Sequence, residues 1–397
     1  MTVPRGPVAA FVQIVLCVGL SLAAGCSADE ASDESAGDGA DDLASGEVET
    51  SSGSNTTTTI GVIRSQPNIL LLIADDYGVE SSACYPELAL DRAAPTPRLA
   101  ELCEEGLVFE NAWSSPTCSP TRAGMLTGRH GFRTGVGETV DDALTWIGTG
   151  EDPWLAWVAF NAPHTPFHLP PEELHIAALS GEATDIEANP GAYYDAAMEA
   201  LDNEVGRLLD GLGPEVRSNT VVVFVGDNGS PASVSSHQRG LAKGGLYEGG
   251  IHVPLTVSGP GIVTDRSDAL VGTINIFATV LDMAGIDTDD QLASTETDSI
   301  SFRDVLVGGE GGNQVMLSEI FGSDTSANRK GKAIRNDRYK VIDFSNGQIE
   351  FFDLLADPRG ELPIDEQTRS EAENQVLDEL MSMLRTWTAD SSAPRPG

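Results

Sequence analysis

No lysine precedes Lys243 in this 397-residue chain, and Lys and Arg together number 23 against 61 Asp and Glu. The formal net charge of −38 excludes nucleic acid as a partner, since a polyanion is repelled before contact. It also repels small anionic substrates at long range, so an anion site has to be built from local cations or a metal. Membrane-length apolar runs are missing too: the stretch Val8 to Ala24 is short for a bilayer span. Internal repeats are absent. What remains is an ordinary apolar content of 40% and enough length for one large domain plus a smaller one.

The N-terminus reads as an export signal. Arg5 gives a weak positive start, the apolar run follows, and Ala23-Ala24-Gly25 precedes Cys26. Those small residues resemble a bacterial lipobox, which implies that Cys26 becomes the lipidated first residue of a periplasmic or cell-surface lipoprotein. Ser27 to Thr59 is acidic and contains no Lys, Arg or aromatic residue. It cannot bury enough surface to offset its chain entropy, and the expectation is a disordered tether outside the fold.

The globular part begins near Gln66. Asn68 to Ala74 is a continuous apolar run ending in Asp75-Asp76, the pattern of a strand buried on both faces. Thr96-Pro97 reads as a capped helix start, with Leu99, Leu102 and Cys103 as its apolar stripe. Trp154 to Phe160 reads as a second buried strand, leading to Asn161-Ala-Pro-His164. Tyr193 to Leu212 has helical apolar spacing, and its stripe reads as core. Thr220 to Val225 is a third buried strand, ending in Gly226-Asp227-Asn228-Gly229. Strand ends are the usual ligand edge of an α/β sheet. Asp75, Asp76, Asp227 and Asn228 there would give hard oxygen donors suited to Ca²⁺ or Mg²⁺ rather than zinc. Cys84 and Cys103 are left over once Cys17, Cys26 and Cys118 have other fates, and in an oxidising compartment they could pair.

The chain centres on Cys118-Ser-Pro-Thr-Arg122, followed by Leu126-Thr-Gly-Arg129. A cysteine at a helix N-terminus is either a thiol of lowered pKa or a substrate for modification. The longer pattern resembles the signature of type I sulfatases, members of the alkaline-phosphatase-like superfamily. Lys243 in Lys-Gly-Gly-Leu-Tyr-Glu-Gly-Gly250, and Glu350 to Pro358 near the end, match the family as well.

The resemblance implies an α/β fold with a large mixed sheet between helices and a small antiparallel α+β C-terminal subdomain. It divides the chain into a signal (1–25), a lipidated linker (26–65), a catalytic domain (66–300), a C-terminal subdomain (301–390) and a tail (391–397). It further implies that a generating enzyme oxidises Cys118 to formylglycine (3-oxoalanine). Ca²⁺, ahead of Mg²⁺, is then held by Asp75, Asp76, Asp227, Asn228 and the modified Cys118. Arg122 holds the formylglycine, His164 protonates the leaving alcohol, and Lys243 binds sulfate oxygens. The substrate class is a small-molecule or glycan sulfate ester, and phosphonate or phosphodiester hydrolysis uses the same machinery. One departure stands out. The family carries a long segment between the cysteine and the Ala-Pro-His loop, with a Gly-Lys-Trp-His motif that binds sulfate. Here only a short Gly- and acid-rich stretch near 133–154 takes its place, and an impaired, cation- or glycan-binding surface lipoprotein is the non-enzymatic alternative.

Overall fold

The computed structural model describes residues 14–16, 63, 66–88, 94–127, 153–237, 240–286, 297–320 and 330–389. The lipidation site, the acidic tether and most of the shortened stretch lie outside these residues.

Seven strands form the main sheet: β1 (Ile14–Leu16), β2 (Asn68–Ala74), β3 (Leu107–Trp113), β4 (Leu155–Ala159), β5 (Thr220–Gly226), β6 (Leu255–Ser258) and β7 (Asp265–Gly272). Their order is β1-β4-β2-β5-β6-β3-β7. The sheet is mixed, because β6 runs antiparallel to both β5 and β3. The apolar runs are continuous because alternate residues enter two different cores. Ile69, Leu71 and Ile73 pack with Val221, Val223 and Val225 on one face. Leu70 and Leu72 pack with Val222 and Phe224 on the other. Helix α1 (Pro97–Glu105) and the long helix α3 (Pro190–Gly211) cover the second face. Helix α5 (Ile276–Met283) covers the first, and α2 (Cys118–Thr127) adds Met125 there.

Three local expectations are corrected. Thr96 makes no capping bond; the free N–H groups of Arg98 and Leu99 donate instead to Asp202 of α3, at 3.1 and 2.8 Å. A carboxylate from a neighbouring helix thus does the work of a cap. β7 was not expected as a strand, since its first half is polar and largely exposed, as suits the edge of a sheet. In the full-length chain the N-terminal stretch is not wholly outside the fold, because Ile14–Leu16 pairs parallel with Leu155–Trp157; a chain cleaved before Cys26 would lack this strand. The outer edge of β4 offers unpaired backbone groups, and an apolar segment is a ready partner for them. Among the described residues, no helix is long and apolar enough to cross a membrane.

A second sheet holds β8 (Met316–Ile320), β9 (Gly331–Arg335), β10 (Tyr339–Phe344) and β11 (Ile349–Asp353), antiparallel in the order β11-β10-β9-β8. One face packs on α6 (Glu371–Ala389) through Leu380, Met381 and Leu384. The other meets Trp113, Leu246 and Ile251 of the larger unit. Between them lies a buried charge cluster. Glu248, at the start of the short helix α4 (Glu248–Ile251), accepts from Lys340 Nζ at 2.7 Å and from Trp113 Nε1 at 3.3 Å. Arg335 and His252 stand 4.0 and 3.6 Å from the same carboxylate. Cys84 and Cys103 form a disulfide with a Cα–Cα distance of 5.9 Å, tying the loop after β2 to α1.

Candidate metal and anion site

Strand register builds the site. β2 and β5 are parallel neighbours with Ala74 opposite Gly226, so Asp75 and Asp227 leave the sheet side by side. In an extended strand, successive side chains point to opposite faces. Asp76 escapes that rule with φ of +67°, a left-handed conformation that Asp tolerates better than most residues. The turn brings its carboxylate round to the same point. Asp75, Asp76 and His164 each offer an atom within 4.8 Å of one another, and so do Asp75, Asp227 and Cys118. Asn228 joins by donating Nδ2–H to Asp76 Oδ1 at 2.7 Å. Gly229 is required there, because a Cβ would collide with the Gly249 carbonyl that lies across it.

Two cations share this pocket. Arg122, one turn along α2 from Cys118, is 4% exposed and donates Nε to Asp227 (3.0 Å) and Nη2 to Asp75 (2.8 Å). Its visible partners are therefore carboxylates rather than position 118. Lys243 pairs with Asp76 Oδ1, and its loop is fixed by Lys243 N–H donating to the Ser230 carbonyl at 3.1 Å. His164 Nε2 lies 3.7 Å from Asp76 Oδ2. His168 has no part in this cluster.

The oxygens fit a hard cation. Asp75 Oδ1, Asp76 Oδ2 and Asn228 Oδ1 are buried acceptors with no hydrogen-bond donor. Orphaned acceptors on adjoining side chains are costly unless something positive meets them. Burial, then the neighbouring Asp227, push Asp75 up to about 8, in spite of Arg122. Burial raises Asp227 too, against the pull of Arg122. Three carboxyl groups face Arg122 and Lys243, so a divalent ion would leave the pocket positive, as a sulfate or phosphonate anion requires in so acidic a chain.

Cys118 is half-buried and unpaired by disulfide. Burial, then Asp227 and Asp75, push its thiol up, outweighing Lys243 and Arg122. Of the two fates open to a cysteine at a helix start, the lowered-pKa nucleophile is therefore the one the surroundings oppose. Sequence reasoning missed Tyr194 and Ser230, which bond beneath Asp76. A tyrosine in an amphipathic helix and a serine in a loop carry no signal that separates them from ordinary core and turn residues.

Comparison with known proteins gives a consistent result. The sulfatase family model matches residues 67–141 and 137–286, and the model for the C-terminal part of N-sulphoglucosamine sulphohydrolase matches 239–388. The two stretches matched by the sulfatase model overlap at residues 137–141. Arylsulfatase K of Mus musculus is 28% identical over 227 residues, spanning 52% of this chain and 39% of its own. The chain thus covers about two fifths of the length of that curated relative. The solved structure of a 2-O GAG sulfatase superposes with a TM-score of 0.60 at 17% identity, covering 82% of this chain and 92% of the other. The phosphonate monoester hydrolase of Agrobacterium radiobacter gives 0.63 at 17% identity, covering 80% and 95%.

Proposed function

Because the chain belongs to the sulfatase family, whose model matches more than half of it, we propose that it hydrolyses sulfate esters with a formylglycine made from Cys118. The observation that carries this reading is the convergence of Asp75, Asp76, Asp227 and Asn228, with three orphaned oxygens, beside Cys118 at the start of α2.

Formylglycine would supply the nucleophilic hydroxyl, and Ca²⁺, ahead of Mg²⁺, would supply Lewis-acid charge at the sulfate oxygens. The chain's own residues do the rest. Asp75, Asp76, Asp227 and Asn228 hold the ion, and Arg122 balances the first and third of these while standing one turn from position 118. Lys243 brings an ammonium to the sulfate side. His164, on the rim beside Asp76, holds a proton for the departing alcohol.

The partners follow from the same reading: a formylglycine-generating enzyme during maturation, a small-molecule or glycan sulfate ester as substrate, and a membrane reached through lipid on Cys26 after export. A phosphonate or phosphodiester hydrolase is the second reading, favoured by the fold shared with the phosphonate monoester hydrolase. The experiment is co-expression with a generating enzyme, mass spectrometry of the Cys118 peptide, and turnover of matched aryl sulfate and aryl phosphonate esters. Conversion of Cys118 with preference for sulfate supports the proposal. A thiol in every molecule, or preference for phosphonate, overturns it.

A further inference from the structure

Asp76 is the least ordinary residue of the site. It is fully buried, adopts φ of +67°, and is the only non-glycine besides Gln66 with positive φ among the described residues. Something must hold it in that turn, since an L-residue there is disfavoured on its own. Its N–H donates to Asp227 Oδ1 at 3.1 Å, a contact inside the site. Its carbonyl is met from outside the site, by Tyr194 of α3, whose hydroxyl lies 3.0 Å away.

The direction of that contact can be worked out. A carbonyl only accepts, so Tyr194 must donate. Its oxygen then takes a proton from Ser230, 3.2 Å away. Ser230, having used its one proton, accepts the other two contacts it makes: Gly78 N–H at 3.2 Å and Ser81 O–H at 3.0 Å. Every proton is thereby assigned in a chain that runs Ser81 to Ser230 to Tyr194 to the Asp76 carbonyl. The chain ties together the loop after β2, the loop after β5 and the N-terminal part of α3. Buried and fully satisfied, such a network specifies one geometry. Tyr194 also packs edge-on against Phe167, with ring centroids 6.0 Å apart, and so touches the loop that carries His164.

We propose that Tyr194 is a positioning residue for the cation site, holding Asp76 in its left-handed turn so that neighbouring carboxylates converge on one ion. This rests on the reading of Asp75, Asp76, Asp227 and Asn228 as a cation site, and it adds a residue that touches neither ion nor substrate.

The test is calorimetric titration of the chelator-stripped full chain with CaCl₂, with thermal melts in chelator and in excess CaCl₂. Tyr194→Phe keeps the ring and removes one donor, and it should weaken Ca²⁺ binding about tenfold. Ser230→Ala should do the same by leaving the tyrosine oxygen without its donor. Tyr193→Phe is the control. That neighbour is equally buried, but its hydroxyl donates to Asp185 on the surface side at 2.7 Å, so its Ca²⁺ affinity should stay at the parent value. A purely structural role would lower both melting temperatures of Tyr194→Phe alike; positioning shrinks the gap between them. Parent-like affinity in Tyr194→Phe, or an equal loss in Tyr193→Phe, overturns the proposal. No binding by the parent chain overturns the cation reading together with it.

Discussion

Replacing Lys340 by Met should destabilise the protein by about 3 kcal/mol and lower its melting temperature by roughly 4 °C. Lys340 is completely buried, and its ammonium is 2.7 Å from Glu248 Oε1, itself buried. Breaking a buried pair by removing one partner typically costs about 3–5 kcal/mol, because the other charge is stranded. The lower figure applies here, since Trp113 Nε1–H, Arg335 and His252 still face the carboxylate. The pH dependence gives a sharper check. Burial acts to raise Glu248, but Lys340, His252 and Arg335 outweigh it and hold the carboxyl down to about 2. In the parent, therefore, its contribution is complete above the ordinary range near 4.5 and fades only as pH falls toward 2. Without Lys340 the burial effect dominates, and the carboxyl takes up a proton at a higher pH. The deficit of Lys340→Met should thus be largest at pH 7.5 and smaller at pH 4.5. Thermal melts of parent and variant at both values, in excess CaCl₂, measure the difference directly. Adding Glu248→Gln to Lys340→Met removes the stranded charge and should recover at least half the loss. A deficit below about 1 kcal/mol, or one that grows in acid, refutes the reasoning.

Three further outcomes are expected. The raised Asp75, at about 8, holds a proton that an incoming cation must displace, so Ca²⁺ affinity should rise with pH from 6 to 8, and titration of Asp227→Ala should show no such site. The Cys84–Cys103 bridge closes a loop of sequence separation 19, and Cys103→Ala should cost about 2–4 kcal/mol by denaturant melts in non-reducing buffer. The converted, Ca²⁺-loaded chain should hydrolyse an activated aryl sulfate at least about 100-fold less efficiently than an intact sulfatase, because preorganised charge donors are missing from the shortened stretch; full efficiency that is lost in Cys118→Ala would show that the site has been rebuilt with other residues.

The central fold was legible because burial on both faces writes itself as an uninterrupted apolar run. Asn68–Ala74 and Thr220–Gly226 appear within a residue of where the sequence puts them. β7 was not legible for the opposite reason: an edge strand needs no apolar run, and Asp265 to Asp268 look like loop. The cap on α1 was misread because its carboxylate comes from Asp202, 104 residues beyond Arg98. Sequence rules for caps see only neighbours in the chain.

The site divides along the same line. The convergence of Asp75 and Asp227 could be read from strand ends, because parallel register sets equivalent positions side by side without reference to side chains. How they are held could not. The left-handed turn at Asp76, the hydroxyl chain beneath it and the double contact of Arg122 all depend on elements brought together from distant parts of the chain. Arg122 illustrates the difference most directly. The family resemblance implies that it partners position 118, and in the structure its hydrogen bonds go to Asp75 and Asp227. In a chain of net charge −38 with no lysine before Lys243, a buried arginine between Asp75 and Asp227, together with Lys243 on Asp76, is what allows three carboxylates to share one pocket. On the proposed function, the guanidinium sets the charge that a cation would have to complete before an anion could enter.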